Sequence, residues 1–239
     1  MPLLSLIARY LRRKQNPLEL LQSIRPESKG YRSLIHVGAH AGQEMPFYES
    51  CGFRDVVWIE ASPAMFAQLT RNIESHTQAQ RHLADPPRHR AICALVTDHE
   101  GDEVEFFEYS NEGRSSSIFQ FEETGHRRWP ELRETGKVDR LKTRTLDAIA
   151  AQCGLLETLD VLTVDVQGAE LLVLKGAPRL LAHVKALVCE VSTQPYYRGG
   201  VLFPQLRDFL ATHGFHPVTA PRKHGDMLFL RRQAMENVA

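Results

Sequence analysis

The sequence lacks a surplus of either charge: 29 Lys and Arg residues balance 29 Asp and Glu residues, so the formal net charge is zero. Such a chain exerts no general electrostatic attraction on nucleic acid or on an anionic membrane. It also lacks any run of ~18 consecutive apolar residues, the length that a membrane-spanning helix needs. The 239 residues, of which 43% are hydrophobic and 24% charged, suffice for one globular α/β domain.

Cysteine is scarce, and no Cys-x-x-Cys pair occurs. The four cysteines are Cys51, Cys93, Cys153 and Cys189, and they are far apart. Cys93 and Cys189 lie in apolar runs, where a reduced thiol behaves as a small hydrophobic group. We therefore predict four free thiols and a cytoplasmic location, with no disulfide framework.

Residues 1–30 are predicted to form a helical leader, followed by one domain over residues 31–239. Residues 3–11 are mostly apolar, and Arg12, Arg13 and Lys14 come after them. A secretory signal has its positive charge before the apolar run, so this is not one. We expect a short amphipathic helix that docks on the domain. Contact of its basic side with lipid or a partner is the alternative.

Beyond the leader, apolar runs alternate with helical periodicities, which favours a mainly parallel sheet covered by helices. Core strands are predicted at residues 34–37, 56–60, 91–96, 161–166 and 186–191. Helices are predicted at residues 41–51, 145–153, 169–183 and 203–213 and after the Ser62-Pro63 cap. Residues 104–109 are predicted to pair back on the preceding strand, 110–143 to be irregular, and 215–219 with 227–230 to form a hairpin. The predicted fold is therefore α/β: Rossmann-like, doubly wound and closed by an antiparallel hairpin.

The turn after the first strand has the features of a nucleoside site. Gly38 and Gly42 flank His40, and Glu60 follows Gly38 by 22 residues at the end of the next strand. Glycines let backbone approach a ligand, and an acid at that position accepts hydrogen bonds from ribose hydroxyls. The middle glycine of Gly-x-Gly-x-x-Gly is absent, which disfavours a nicotinamide-dependent oxidoreductase. The spacing suits S-adenosylmethionine, which has a nucleoside but no phosphate.

A second group of polar residues follows the predicted strand at 161–166. Asp165 and Gln167 mark its end, Gly168 permits a turn, and Glu170 enters the next helix. An acid at helix N-termini is favourable on electrostatic grounds alone, which gives Glu170 a structural explanation. Asp165 lies among Val and Leu, where a carboxylate is costly unless it is hydrogen-bonded or functional.

These two segments resemble the FkbM family of methyltransferases. Residues 34–44 are similar to its first motif, Asp-Val-Gly-Ala-Asn-x-Gly, and residues 165–177 to its Asp-Val-Glu-Gly-Ala-Glu block with a Leu-Lys-Gly-Ala tail. The resemblance covers roughly residues 31–220. His36 and His40 stand where the family usually has Asp and Asn, and Gln167 stands for Glu. The resemblance implies a class I S-adenosylmethionine-dependent methyltransferase that methylates a hydroxyl of a sugar or secondary metabolite.

We predict a role for each of these residues. Asp165 is the candidate catalytic base, or it orients the acceptor, with His40 and Glu190 as weaker candidates for the base. Residues 115–117 and Trp129 are expected to cover the acceptor or else to form a surface loop. The cofactor is expected to contact Gly38, His40, Gly42 and Glu60, and the acceptor to contact Gln167, Glu190 and Tyr196.

The resemblance implies a small-molecule or glycan acceptor. A nucleic-acid acceptor is disfavoured because the chain has neither a basic surplus nor an Asn-Pro-Pro-Tyr-like loop. No spacing of acids or histidines dictates a metal, so none is predicted. A non-catalytic module that retains the fold for binding is the main alternative, and His36 and Gln167 are the residues that favour it.

Overall fold

The computed structural model describes residues 16–231. Its strands are β1 (Ser33–Val37), β2 (Asp55–Glu60), β3 (Arg88–Cys93), β4 (Leu95–Val96), β5 (Glu103–Tyr109), β6 (Glu134–Arg144), β7 (Val161–Val164), β8 (Ala186–Ser192), β9 (Phe215–Pro217) and β10 (His224–Arg231). Its α-helices are α1 (Pro17–Ile24), α2 (Met45–Ser50), α3 (Pro63–Ala79), α4 (Glu123–Arg128), α5 (Leu146–Gln152), α6 (Glu170–Lys175), α7 (Pro178–His183) and α8 (Phe203–Thr212).

Seven strands form the main sheet in the order β3-β2-β1-β7-β8-β10-β9. The first five of these are parallel to one another. β10 runs antiparallel to β8, and β9 runs antiparallel to β10. The strand order reverses between β1 and β7, and ligands bind at such a switch point in open α/β sheets. The predicted doubly wound fold with a closing hairpin is confirmed.

Alternate residues of each strand supply two separate hydrophobic cores, one on each face of the sheet. In β1, Ile35 belongs to the core beneath α5 to α8, and Leu34 belongs to the core beneath α1, α2 and α3. Both side chains are fully buried. Burial of one such side chain stabilises the fold by about 1.5–3 kcal/mol, so the two cores fix the register of the central strands.

Two predicted helices are shorter than expected. The helix predicted at 41–51 begins only at Met45, because His40 and Gly42 have positive φ and hold the preceding residues in a turn. The helix predicted at 169–183 is two helices, α6 and α7. Pro178 begins the second, and a proline disfavours helical backbone at the residue before it.

The region between the two halves of the sheet also differs from the prediction. The apolar run at 91–96 divides into β3 and β4, and β4 leaves the main sheet to pair with β6. The segment predicted to be irregular contains α4 and the 11-residue strand β6, which completes a three-stranded sheet in the order β4-β6-β5. Most residues of β6 are charged or exposed, so no apolar alternation marks this strand in the sequence.

The second half of the predicted leader packs on the domain. Asn16 and Glu19 form a capping box at the start of α1, and the apolar side of this helix is buried in the core beneath α2 and α3. The amphipathic helix predicted at residues 3–11 lies outside the described residues. Within residues 16–231, no helix is long and apolar enough to cross a membrane.

Gly38→Ala should show how strongly the fold depends on one close backbone approach. A Cβ at Gly38 would lie 1.7 Å from the carbonyl oxygen of Asp165, and its φ of +85° already disfavours a side chain. We expect a loss of about 3 kcal/mol or more in the free energy of unfolding, measured in urea.

Gly136→Ala is the matched control. Its φ is +82°, and a Cβ there meets nothing within 4 Å. Left-handed backbone alone costs about 1–2 kcal/mol. Equal losses in the two variants would contradict the steric explanation.

Candidate functional site

The turns that follow β1 and β7 meet at one edge of the sheet. The amide of Asp165 donates to the carbonyl of Val37 at 3.0 Å, and the amides of Gly38 and Ala39 donate to the carbonyl of Ile59. These bonds continue the parallel ladder beyond the strand ends. The polar groups at the carboxyl ends of β1, β2 and β7 therefore converge.

Glu60 links the glycine turn to the start of α3. One carboxylate oxygen accepts from the amide of His40 and the other accepts from the amide of Ser62, both at 2.8 Å. Burial raises the pKa of Glu60, and these backbone hydrogen bonds oppose the shift. Glu60 thus supports the turn in addition to lining the cavity beside it.

A cavity opens to solvent between the two turns. We call it the first cavity. One wall is apolar and includes Ile59 and Phe106, while Glu60 and Asp165 supply carboxylates. Its lining consists of Val37, Gly38, His40, Ile59, Glu60, Ala61, Ala94, Leu95, Val96, Phe106, Gly113, Arg114, Ser116, Ile118, Asp165, Val166, Gln167 and Ala169.

His40 connects the glycine turn to the loop after β5. Its backbone has a φ of +48°, and its ring Nε2 donates to the carbonyl of Glu112 at 2.8 Å. Its Nδ1 accepts from the amide of Gln43 at 2.7 Å, which fixes this tautomer. Gly113, Arg114 and Ser116 of that loop line the first cavity. Trp129, which was expected to cover the acceptor together with residues 115–117, lies instead in an aromatic cluster with Tyr196. Gly42, the second glycine of the turn, faces Leu69 and Met45 and does not line this cavity.

Gln167 lies between two carboxylates at the end of β7. Its side-chain amide nitrogen donates to Asp165 at 2.7 Å and to Glu190 at 3.0 Å. Its amide oxygen lies 2.7 Å from the hydroxyl of Tyr197, which is also 3.0 Å from the carbonyl of Ser115. An amide with two N–H groups can satisfy both carboxylates at once, which a Glu at this position cannot do.

Asp165 and Glu190 are neighbouring buried carboxyl groups, and both accept hydrogen bonds from the side-chain amide of Gln167. Burial, followed by the nearby charge of Asp165, raises the pKa of Glu190 well above its usual value. Burial also raises the pKa of Asp165, and hydrogen bonds from Gln167 and Glu190 oppose that shift. Asp165 also lines the first cavity, so its carboxyl group can contact a ligand there.

Glu170 mainly stabilises the backbone turn that leads into α6. One of its carboxylate oxygens accepts from the amides of Val166 and Gly168 at 3.1 and 3.0 Å, closing the turn into α6. The side chain is buried, and this burial raises its pKa to about 7. Asp165 adds to the shift, whereas the backbone bonds oppose it.

Tyr196 and Tyr197 point to different surroundings. Tyr196 is buried in an aromatic cluster, where its ring lies 5.0 Å from that of Trp129 and 5.3 Å from that of His224. It lines a neighbouring cavity together with Glu190. Tyr197, which the sequence analysis passed over, contacts Gln167 directly.

Among the described residues, two groups of side chains have the composition of a metal site. In each group, hydrogen bonds explain why the side chains lie close together. Oxygens of Asp165, Glu170 and Glu190 lie within 4.8 Å of one another, but the Gln167 amide donates into the space between two of them. The residues present do not fit a resident ion there, since N–H hydrogens occupy the position that a cation would take.

Glu49, His76 and His89 form the second group. Nδ1 of His89 accepts from the indole N–H of Trp58 at 3.0 Å, so Nε2 bears the ring proton and donates to Glu49 at 2.9 Å. A metal on Nε2 would have to displace that proton and break this network. The absence of a metal remains a prediction, and these hydrogen bonds favour it.

Sequence reasoning missed Tyr197, which contacts Gln167. It also missed Glu44, Thr163 and Asp226, which line a cavity together with His36 and Asp165. Asp226 is paired with Glu190 across β8 and β10, a register that only the structure shows. Glu44 was placed inside a predicted helix. An acid in the unwound part of a glycine turn is a signal that could have identified it.

Glu170→Gln should stabilise the protein in a pH-dependent way. The pKa of Glu170 is raised on folding, so its ionisation destabilises the folded state as pH rises from about 4.5 to about 7. Gln retains the oxygen that accepts both amides and cannot ionise. The gain in the free energy of unfolding should be about 2 kcal/mol larger at pH 8 than at pH 5, measured in urea. A gain that is the same at both pH values would contradict this origin.

Comparison with known proteins agrees with the geometry. The family described as "Methyltransferase FkbM domain" matches residues 36–217, more than half of the chain. A search of curated proteins gives no match.

A solved structure of a related methyltransferase has the same fold. The crystal structure of Methyltransferase FkbM from Methylobacillus flagellatus KT superposes with a TM-score of 0.53 at 14% identity, covering 94% of this chain and 52% of that one. The present chain therefore spans about half the length of that protein. Magnesium protoporphyrin IX methyltransferase from Synechocystis PCC 6803 with bound S-adenosylmethionine gives 0.43 at 10% identity, covering 90% and 77% of the two chains.

The family match extends over both sheet-edge turns. This chain therefore belongs to the FkbM family of methyltransferases, whose methyl donor is S-adenosylmethionine.

Proposed function

We propose that this protein transfers the methyl group of S-adenosylmethionine to a hydroxyl of a small-molecule or glycan acceptor. The observation that supports this most is the carboxyl group of Asp165, which lines the first cavity and accepts a hydrogen bond from the side-chain amide of Gln167. An alcohol is a weak nucleophile at neutral pH, so a proton acceptor at the reacting oxygen accelerates its attack.

The residues of the first cavity fit the cofactor. Gly38 approaches the Asp165 carbonyl so closely that no side chain fits between them, so backbone forms the floor of the cavity. Apolar residues such as Ile59 and Leu95 suit a flat aromatic base, and Glu60 offers carboxylate oxygens to the ribose hydroxyls. Gly38, His40 and Glu60 are the residues proposed to hold it. Gly42 contributes by shaping the turn.

The proposed chemistry uses few protein groups. When bound, the cofactor supplies an electrophilic methyl group on sulfur, and a bond from the acceptor oxygen replaces the carbon–sulfur bond. Asp165 takes the hydroxyl proton, and Gln167 holds Asp165 in position through its amide. Glu190 and Tyr196 are proposed to contact the acceptor, because both line the cavity next to Gln167.

The four free thiols support a reducing, cytoplasmic environment.

One observation favours the non-catalytic alternative. His36 is buried, and this burial lowers its pKa to about 4, so a neutral ring occupies the end of β1. Its Nδ1 accepts from the Tyr48 hydroxyl at 3.1 Å. A protein that does not catalyse methyl transfer could tolerate His36 in place of the Asp that the family usually has. Family membership removes the support for a nicotinamide-dependent oxidoreductase.

Calorimetric titration with S-adenosylhomocysteine and a turnover assay would test the proposal. Purified protein is incubated with S-adenosylmethionine and panels of sugars, hydroxylated metabolites and tRNA, and S-adenosylhomocysteine formation is measured by mass spectrometry. We expect binding of the thioether product, and turnover with a hydroxyl acceptor. Binding without turnover on any panel would favour the binding module, and tRNA methylation would overturn the acceptor class.

Asp165→Asn separates catalysis from binding. Asn keeps an oxygen that accepts from Gln167 but cannot take a proton at neutral pH. We expect turnover to fall about 10²–10⁴-fold, with the affinity for S-adenosylhomocysteine changed less than about threefold. Asp208→Asn is the control because Asp208 is an exposed acid on α8. A turnover loss below about threefold in Asp165→Asn would remove Asp165 from the proposed role.

A further inference from the structure

We propose that Glu190 and His224 carry the proton released by methyl transfer from Asp165 to solvent. The inference rests on the proposed function, in which Asp165 takes a proton from the acceptor hydroxyl and must lose it before the next turnover. Glu190 and His224 line one cavity together with Ser192 and Tyr196, and we call it the second cavity. In this role His224 acts on the reaction through Glu190.

A line of polar contacts leads from Asp165 to the second cavity. Oxygens of Asp165 and Glu190 lie within 4.8 Å of each other, and a hydrogen bond between the two groups lowers the pKa of Asp165. Oε1 of Glu190 lies 3.1 Å from Nε2 of His224, whose Nδ1 lies 2.7 Å from the Ser192 hydroxyl. A carboxyl group and an imidazole can each accept a proton on one atom and release one from another.

The register of β8 and β10 brings these side chains together. His224 is the cross-strand partner of Ser192, and Asp226 is the partner of Glu190. Alternate residues of a strand point to one face, so His224 and Glu190 are diagonal neighbours on the same face of the sheet. The contact between them therefore follows from the strand pairing.

His224 lies nearer to solvent than the acid it contacts. Its side chain is 21% exposed, whereas that of Glu190 is 11% exposed. The rings of Trp129 and Tyr196 both lie 5.3 Å from the His224 ring and hold it in place. A cofactor and an acceptor in the first cavity would separate Asp165 from water there, which leaves the side toward the second cavity for proton release.

The surroundings of the Glu190–His224 pair favour its neutral form. Burial, followed by the charge of Asp165, raises the pKa of Glu190 well above its usual value. Burial and then the charge of Arg128 lower the pKa of His224. Among the described residues, Glu190 from β8 and Arg128 from α4 are the charged groups that act on this ring. The two shifts bring the pKa values of the pair toward each other, so a proton moves between the groups at a lower cost than in an ion pair.

The proposed route conserves protons at each step. Asp165 takes the hydroxyl proton as the new carbon–oxygen bond forms, and then passes a proton to Glu190. Glu190 releases its own proton from Oε1 to Nε2 of His224, and the ring releases its Nδ1 proton to water beside Ser192. Exchange of the ring protons with water restores the starting tautomer, and every group regains its starting charge.

Nuclear magnetic resonance of the histidine rings tests the pair without any acceptor. Long-range ¹H–¹⁵N spectra are recorded against pH for wild type, Glu190→Gln and His224→Gln, which identifies the His224 signals. We expect a neutral ring at pH 7 with the proton on Nδ1, and a titration midpoint below the ordinary 6.5. Glu190→Gln should leave the ring neutral. A cationic ring in wild type that becomes neutral in Glu190→Gln would show an ion pair and overturn the proposal.

Turnover of His224 variants tests the route with whichever hydroxyl acceptor the panels identify. We expect His224→Ala and His224→Gln to lose about tenfold or more in turnover, with the affinity for S-adenosylhomocysteine changed less than about threefold. His183→Gln is the control, because His183 is an exposed histidine at the end of α7.

Rescue by added bases separates proton transfer from packing. A series of substituted imidazoles should restore turnover of His224→Ala in the order of their pKa values, whereas wild type should not respond to their concentration. Wild-type turnover in His224→Gln, or a loss in His224→Ala that no imidazole restores, would overturn the route and leave His224 a packing role.

Failure of the proposed function gives a different result. If no acceptor is turned over, the route falls together with the proposed function, whatever protonation state the histidine spectra show. Turnover in wild type that is unaffected in both His224 variants would overturn the route alone.

Discussion

The backbone contact between the turns after β1 and β7 organises everything else at this site. Gly38 approaches the carbonyl of Asp165 so closely that no side chain fits between them, and the amide of Asp165 is bonded to Val37. This contact brings the end of each strand to the same point of the sheet edge. Because the two turns belong to the strands where the order of the sheet reverses, the cavity opens between them.

The second constraint is the accumulation of buried acids around that contact. Removal of water raises the pKa of Glu60, Glu170 and Glu190, so the site stores unfavourable electrostatic free energy when its acids ionise. Backbone amides and the Gln167 amide offset part of this cost. The neutral Gln167 is thus consistent with its surroundings: a third carboxylate between Asp165 and Glu190 would add repulsion where an amide supplies donors. Clusters of acids with raised pKa values are typical of functional sites.

The architecture and the ends of the core strands could be predicted from the sequence. Strand pairing outside the main sheet and side-chain contacts that depend on loop conformation could not. Gly38, Glu60 and Asp165 were predictable because each follows a buried apolar run, and the ends of parallel strands share one edge. β6 was not predictable, since its charged residues show no apolar alternation and it is stabilised by pairing with β5. Tyr197 and Tyr196 are adjacent in the chain, and only the conformation of their loop decides which one reaches Gln167. Glu44 was assigned to a helix that begins one residue later, at Met45.

The central claim is that these converging turns hold the nucleoside of the methyl donor, and a crystal structure of the protein with S-adenosylhomocysteine tests it most directly. We expect the base to lie against the apolar wall formed by Ala94 and Leu95, and the ribose hydroxyls to bond the carboxylate of Glu60. Density for the ligand at any other place on the chain, or a first cavity closed by side chains in crystals soaked at saturating ligand, would contradict it.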